Sequence, residues 1–287
     1  RVMFPIRDRR GRVIGFGGRL LGEGKPKYLN SPETPVFHKG RELYGLFEAR
    51  QANRQLASLL VVEGYLDVIA LAQFGVTNAV ATLGTSTTTD HLQQLLRTAP
   101  KIIFCFDGDR AGREAAWKAL ETALPLATGH QSIHFLFLPD GEDPDTLVRG
   151  EGAEGFGVRI QTARSLSEFL FSHLAEPLDM TVPEGRARLA SLAQPLIERM
   201  PAGVYRELLL KRLAELAGLP AQPSAPPARA RRRAGRSDQP QRLSLIAQAI
   251  ALLLDHPELA AQAAQVSDDW RRATIPGIEV LAQLLDM

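Results

Sequence analysis

Four short apolar runs alternate with helical patterns between residues 57 and 147 of this 287-residue chain. The predicted strands are 59–62, 78–82, 102–106 and 132–138. Apolar strands without polar alternation are typical of parallel sheets that are buried on both faces, and helices supply the crossover connections between them. We therefore predict an α/β fold, α+β overall, built on a parallel sheet flanked by helices.

The rest of the chain predicts further segments around this sheet. Residues 1–22 have the apolar runs and glycine turns of antiparallel strands, whereas 158–219 have a helical pattern. Residues 220–242 are rich in proline, alanine and arginine, and such a segment cannot form a core. The predicted domains are a basic N-terminal lobe truncated at its start (1–56), a catalytic domain (57–150), a helical subdomain (151–219), a disordered linker (220–242) and the start of a second helical domain (243–287).

The composition is that of a globular protein from a reducing compartment. Apolar residues make up 45% of the chain and charged residues 23%. No stretch approaches the roughly 18 apolar residues of a membrane helix, and no signal peptide opens the chain. The single cysteine, Cys105, excludes a disulfide framework and a Cys-based zinc site. We expect a cytoplasmic protein with no membrane partner and, because it starts at Arg1 inside a strand pattern, a fragment of a longer one.

Charge is divided unevenly along the chain although the net charge is only +2. Residues 1–50 carry eleven Lys and Arg against five Asp and Glu, and residues 57–147 carry five against eleven. A basic lobe beside an acidic pocket suits a polyanion that is held near metal ions. Chance variation of surface charge is the alternative.

Carboxylates follow two of the predicted strands. Glu63 comes directly after 59–62, and Asp107 and Asp109 follow 102–106. Side chains two residues apart on a strand point the same way, and parallel strands end at one edge, so we expect the three to converge. Crowded carboxylates repel one another unless a cation lies between them, and Mg²⁺ or Mn²⁺ prefers oxygen ligands. The sequence predicts a catalytic metal site for phosphoryl chemistry.

Weaker signals surround this cluster. Asp143 and Asp145 repeat the two-residue spacing in an acidic, proline-rich loop, where they either join the cluster or are simply solvated. Lys27 and Lys39 flank a loop rich in turn residues. Their spacing alone leaves both phosphate binding and ordinary solvated lysines open.

Longer motifs resemble a known family. The segments VVEGYLDV (61–68) and FDGDRAG (106–112) resemble the Toprim domain of primases, topoisomerases, recombination proteins and nucleases. The flanking sequence is similar to DnaG-type bacterial primases, densely to about residue 150 and more loosely to 219. The segments that carry this similarity are MFPI (3–6), GFGGR (15–19), KYLNSPET (27–34), FHKG (37–40), LYGL (43–46) and LPDGEDPDTL (138–147).

The resemblance implies roles for particular residues. Divalent metal for nucleotidyl transfer would be held by the carboxylates Glu63, Asp67, Asp107, Asp109, Asp143 and Asp145. Nucleic acid or nucleotide would be bound by Arg19, Lys27, Asn30, Lys39 and Tyr65. Zinc is expected only in an N-terminal ribbon domain that would precede Arg1.

The resemblance also implies an activity: a DNA-directed RNA polymerase that makes short RNA primers on single-stranded DNA. Its partners would be the template, the RNA primer, ribonucleoside triphosphates, single-stranded-DNA-binding protein and, through the domain that starts at 243, the replicative helicase. The core is expected to be monomeric. A Toprim nuclease or topoisomerase that cleaves with the same carboxylates, and a non-catalytic docking module, are the alternatives.

Overall fold

The computed structural model describes residues 1–84, 86–219, 249–250 and 282–283. The chain divides into two compact units, Arg1–Ser224 and Ala225–Met287. Of the second, only 249–250 and 282–283 are described, and both pairs are helical. The predicted linker at 220–242 lies outside the described residues, as does the domain at 243–287 apart from these two pairs.

Five strands form the central sheet of the first unit. They are β4 (Leu59–Val62), β5 (Ala79–Ala81), β6 (Lys101–Phe106), β7 (Ser132–Phe137) and β8 (Arg164–Ser165). The spatial order is β5-β4-β6-β7-β8, in which the first four strands are parallel and β8 is antiparallel to β7. The predicted parallel sheet is confirmed. The sequence did not predict β8, because its two residues have no periodicity of their own.

Helices cover both faces of this sheet. They are α1 (Leu46–Ala52), α2 (Tyr65–Gln73), α3 (Thr89–Thr98), α4 (Arg110–Ala123), α5 (Pro144–Gln161), α6 (Leu166–Ala175), α7 (Pro183–Glu198) and α8 (Val204–Ala217). Alternate strand residues face opposite layers. Leu59 and Val61 pack with α3, α4 and α6–α8, whereas Leu60 and Val62 pack with α2 and α5. None of the helices in the described part of the chain has the length and apolar character needed to cross a membrane.

Helix α5 begins at the end of the acidic, proline-rich loop that the sequence predicted around Asp143 and Asp145. Its glycines disfavour a helix, and Gly152 leaves helical geometry with a φ of 71°. Burial holds the helix in place instead, since Val148 and Phe156 pack in the same layer as α2. The predicted domain limit between 150 and 151 falls inside this helix, and the domain limits stay a prediction.

A smaller antiparallel sheet precedes the central one. Its strands, β1 (Val2–Arg7), β2 (Val13–Arg19) and β3 (Tyr28–Asn30), lie in that order. The hairpin of β1 and β2 is confirmed, whereas β3 lies in a segment that reads as a loop. Phe4 and Ile6 of this basic lobe are buried together with Phe37, Tyr65 and Leu83. This cluster joins the lobe to the central sheet, because Tyr65 begins α2 and Leu83 follows β5.

Candidate active site

The strand order creates a crevice between β4 and β6. The chain passes from β4 to β5 on one side and then returns across β4 to place β6 on the other. In open α/β sheets, ligands bind outside the carboxyl ends of the strands at such a switch point. Val61 lies opposite Phe104, so Glu63 lies level with Phe106, one residue short of Asp107. Glu63 and Asp107 therefore flank the crevice.

Asp109 reaches the same region by a different route from the one the sequence suggested. Strand β6 ends at Phe106, so Asp109 does not share its alternation of side chains. Asp109 is the N-cap of α4, and its Oδ1 accepts a hydrogen bond from the Gly112 amide at 2.7 Å. The turn between strand and helix, rather than the strand, returns this carboxylate to the crevice.

The carboxylates at the crevice act on one another electrostatically. Burial raises the pKa of Glu63, and the negative charges of Asp107 and Asp109 raise it further. Burial likewise raises the pKa of Asp107, followed by the charges of Asp143 and Asp109. Asp107 is therefore subject to the charges of Asp143 and Asp109 and in turn raises the pKa of Glu63. Glu63, Asp107, Asp109 and Asp143 are thus linked by their electrostatic effects on Glu63 and Asp107.

The charges of Asp143, Asp107 and Asp145 also act on Asp67. Burial, and next the charge of Asp143, raise the pKa of Asp67 to about 7, against the lowering effect of a hydrogen bond from the Gly64 amide. That bond, 3.0 Å long, ties Asp67 to the turn after Glu63. Asp145 instead accepts a hydrogen bond from Arg149 at 2.5 Å, one turn along α5. Its charge is therefore partly balanced within its own helix.

Gly108 permits the close approach of two loops. A Cβ atom at Gly108 would lie 2.1 Å from the Leu138 carbonyl oxygen and 2.9 Å from the Asp140 amide nitrogen. Any side chain would push the loop of Asp107 away from the loop after β7, which leads to Asp143. The glycine between the two aspartates was visible in the sequence, but its packing role was not.

The chemistry of these side chains suits a divalent cation. The group consists of carboxylate oxygens, the hard ligands that Mg²⁺ and Mn²⁺ prefer. Within residues 1–84 and 86–219, none of Glu63, Asp107 and Asp109 forms an ion pair that would balance its charge. In the same described part, no three acidic, His or Cys side chains are close enough together to hold an ion. The carboxylates thus line the crevice without closing into a ligand shell.

The predicted cationic residues lie on the basic lobe. Arg19 on β2 is opposite Tyr28 on β3, with its guanidinium 5.6 Å from the centre of the Tyr28 ring. Lys27 is exposed and directly precedes β3. Lys39 is half-buried, and its carbonyl lies 3.0 Å from Nε2 of the buried His91, at the start of α3. Contacts of this kind attach the lobe to the central sheet.

Asn30 and Tyr65, two predicted binding residues, contact each other. The Tyr65 hydroxyl donates a hydrogen bond to Oδ1 of Asn30, and the Asn30 amide donates to the Leu83 carbonyl at 2.8 Å. Tyr65 is only 4% exposed. Both side chains are thus engaged inside the protein, an arrangement that the sequence did not reveal because the residues are far apart along the chain.

Comparison with known proteins gives a consistent result along the described unit. Three family profiles match in succession: the N-terminal domain of the DNA primase catalytic core at residues 1–50, a Toprim-like domain at 60–148, and a DnaB-helicase binding domain of primase at 167–222. The third lies on α6–α8, whereas the sequence interpretation assigned helicase binding to 243–287. DNA primase of Escherichia coli strain K12 is 61% identical over 219 residues, which are 76% of this chain and 38% of that protein. The chain thus spans well under half the length of this relative.

Solved structures agree with the profiles. A DNA primase domain from Pseudomonas aeruginosa has a TM-score of 0.75 at 60% identity, covering 77% of this chain and 69% of that one. A DnaG catalytic core matches with a TM-score of 0.73 at 60% identity, over 76% of this chain and 70% of that one. A DnaG primase catalytic domain bound to single-stranded DNA has a TM-score of 0.71 at 61% identity, over 75% and 69%. The chain therefore belongs to the family of DnaG-type bacterial DNA primases.

Proposed function

We propose that this chain provides the RNA polymerase core of a primase, which joins ribonucleotides into short RNA primers on single-stranded DNA. The observation that carries the proposal is the position of Asp107. It flanks the switch-point crevice, and its pKa is raised by burial and by the charges of Asp143 and Asp109. The surrounding carboxylates are the type of ligand that a divalent ion prefers. Family membership supports the same reaction.

The carboxylates would hold the ion, and the protein would supply position and charge. Glu63, Asp107 and Asp109 would be the principal ligands, with Asp143 beside them and Asp67 fixing the turn after Glu63 through the Gly64 amide. A bound Mg²⁺ or Mn²⁺ would offset charge on the transferred phosphate and favour ionisation of the attacking 3′-hydroxyl. Holding the primer end and the triphosphate in register accounts for much of the remaining rate enhancement.

The basic lobe would bind the nucleic acid. Arg19, Lys27 and Lys39 would contact phosphates of the template, primer or incoming triphosphate. Such contacts carry no sequence information and weaken as salt rises. A related catalytic domain has been solved with single-stranded DNA, which supports binding of a single-stranded template.

The test is RNA synthesis from labelled ribonucleotides on single-stranded DNA, with and without an annealed RNA primer. We expect products with Mg²⁺ or Mn²⁺, none with chelator, and a loss of at least about a hundredfold in Asp107→Asn. Asp140→Asn is the matched control, because Asp140 is an exposed carboxylate in the neighbouring loop outside the predicted ligand set.

Other outcomes would separate the alternatives. Metal-dependent cleavage of the template without synthesis would indicate a Toprim nuclease or topoisomerase. Synthesis that survives in Asp107→Asn would contradict the metal assignment. Binding to a partner without any chemistry on either template would indicate a docking module.

The lobe is tested by Lys27→Ala. We expect a several-fold weaker affinity for template and a smaller salt dependence of binding, with unchanged thermal stability, because Lys27 is exposed. Lys118→Ala, an exposed lysine on α4, is the matched control. Equal effects of both variants would contradict a specific role for Lys27.

Helicase binding is a further part of the proposal. The profile of a helicase-binding domain supports a docking surface on α6–α8, where Val204 and Leu208 lie one turn apart on α8 and are 77% and 58% exposed. Leu208→Asp should weaken binding to a replicative helicase, whereas the exposed Glu207→Asp should not. An unaffected Leu208→Asp would point instead to residues 243–287.

We also propose that the protein acts in the cytoplasm at the replication fork and contacts single-stranded-DNA-binding protein. The core would be monomeric, and zinc would be bound by a separate domain.

A further inference from the structure

We infer that Tyr65 and Asn30 are positioning residues that set the spacing between the basic lobe and the carboxylates. This inference rests on the proposed function. The two side chains and the Leu83 carbonyl form what we call the interlobe clasp. In it, Tyr65 donates to Asn30 and Asn30 donates to Leu83 at 2.8 Å.

The clasp joins three points that matter for the site. Asn30 ends β3, the strand that follows Lys27 and pairs with β2 at Arg19. Tyr65 begins α2, two residues after Glu63. Leu83 lies just past the end of β5. One amide therefore ties the cationic lobe to two loops at the carboxyl edge of the sheet.

The asparagine amide matches this task chemically. Its oxygen accepts from the Tyr65 hydroxyl while its NH₂ group donates to the Leu83 carbonyl. An aspartate has the same shape but no donor, and it would turn a second oxygen towards the Leu83 carbonyl. Because these hydrogen bonds are partly buried, an unsatisfied partner is costly. The clasp is therefore specific to this pair of side chains.

Packing fixes the tyrosine side of the clasp. The Tyr65 ring packs against Phe4 and Tyr44, with ring centroids 5.7 Å and 4.8 Å away. The backbone of β2 also lies on this ring, since a Cβ atom at Gly17 would be 2.5 Å from it. Removing only the hydroxyl leaves this packing intact, so Tyr65→Phe isolates the hydrogen bond.

Two measurements on the 287-residue chain test the inference. The first is amide hydrogen exchange, which needs no activity. Tyr65→Phe should speed exchange in β3 and at Leu83 and Gly84 about fivefold, the effect of losing one hydrogen bond. Tyr44→Phe, which removes a hydroxyl from the same aromatic cluster, is the matched control and should leave these amides unchanged. Unchanged exchange in Tyr65→Phe would overturn the clasp.

The second measurement is primer extension on a primed template. We expect kcat to fall about tenfold in Tyr65→Phe and in Asn30→Asp, with the KM for ribonucleotide and the template Kd within about twofold of wild type. The double variant should lose no more than the worse single one. A raised KM at unchanged kcat would mean that these side chains bind substrate directly, and would overturn a positioning role. If the wild-type chain makes no RNA, only the proposed function is contradicted. The amide hydrogen exchange measurement then still tests whether the clasp exists.

Discussion

Asp109 both faces the candidate metal site and caps helix α4, since its Oδ1 accepts a hydrogen bond from the Gly112 amide at 2.7 Å. The two roles can be separated by substitution. Asparagine is as good an N-cap as aspartate but carries no charge, whereas alanine loses both properties.

We therefore expect Asp109→Asn to abolish primer synthesis at nearly wild-type stability, and Asp109→Ala to lose about 1 kcal/mol of unfolding free energy as well. Urea denaturation and primer extension measure the two effects. Ser165→Ala, which removes the N-cap of α6, should be destabilised by a similar amount but remain active. Equal stability of the two Asp109 variants would contradict the capping role.

Because Gly108 contacts the loop after β7, we expect both stability and activity to be strongly sensitive to a methyl group at this position. In Gly108→Ala the Cβ would lie 2.1 Å from the Leu138 carbonyl oxygen, so the two loops must separate. We expect a destabilisation of about 1–3 kcal/mol and loss of synthesis. Gly150→Ala, in α5 with no atom within 4 Å of the added carbon, should be neutral or slightly stabilising. A fully active Gly108→Ala would show that the loop spacing is unimportant.

The unbalanced carboxylates predict stabilisation by divalent cations. An ion that binds only the folded chain raises its stability by about 2.7 kcal/mol at a hundred times its Kd. We expect Mg²⁺ to raise the melting temperature by several degrees in wild type and much less in Glu63→Gln, with chelator reversing the effect. Sodium chloride at equal ionic strength and Asp140→Asn are the controls. An identical Mg²⁺ response in wild type and Glu63→Gln would argue against a specific site.

His91 predicts a pH-dependent stability. Its burial lowers its pKa below the usual 6.5, more than the carbonyls of Lys39 and Glu42 raise it. The unfolded chain therefore binds a proton that the folded chain resists, and stability falls as the pH drops below about 6.5 towards the folded value.

The His91→Asn variant isolates this effect. It should be less stable than wild type at pH 8, because the bonds of His91 to the lobe are lost, and the difference should narrow by up to about 1.4 kcal/mol for each unit between pH 6.5 and 5. Chemical denaturation at several pH values measures this. The exposed His130 offers a control, since His130→Asn should follow wild type. A difference that stays constant with pH would contradict the buried neutral imidazole.

Much of the central sheet could be predicted from local pattern. Uncharged apolar strands that alternate with amphipathic helices predict a buried parallel sheet. A strand that is buried on both faces has no alternation of polar and apolar residues. Helix α4 likewise depends on local signals, since an aspartate cap and a buried apolar face both belong to its own stretch of sequence. The start of helix α5 was not predicted, because its glycines lower the local propensity and its stability comes from packing on α2.

The sequence by itself determined which carboxylates follow strands whose ends must share an edge: Glu63, Asp107 and Asp109, the residues predicted to carry the chemistry. Only the tertiary structure decided how they meet. The strand order put the crevice between β4 and β6, the α4 cap turned Asp109 towards it, and Asn30 joined the lobe to Tyr65 across 35 residues. Strand order and long-range hydrogen bonds depend on packing between segments far apart in the chain, and local periodicity contains no record of that packing.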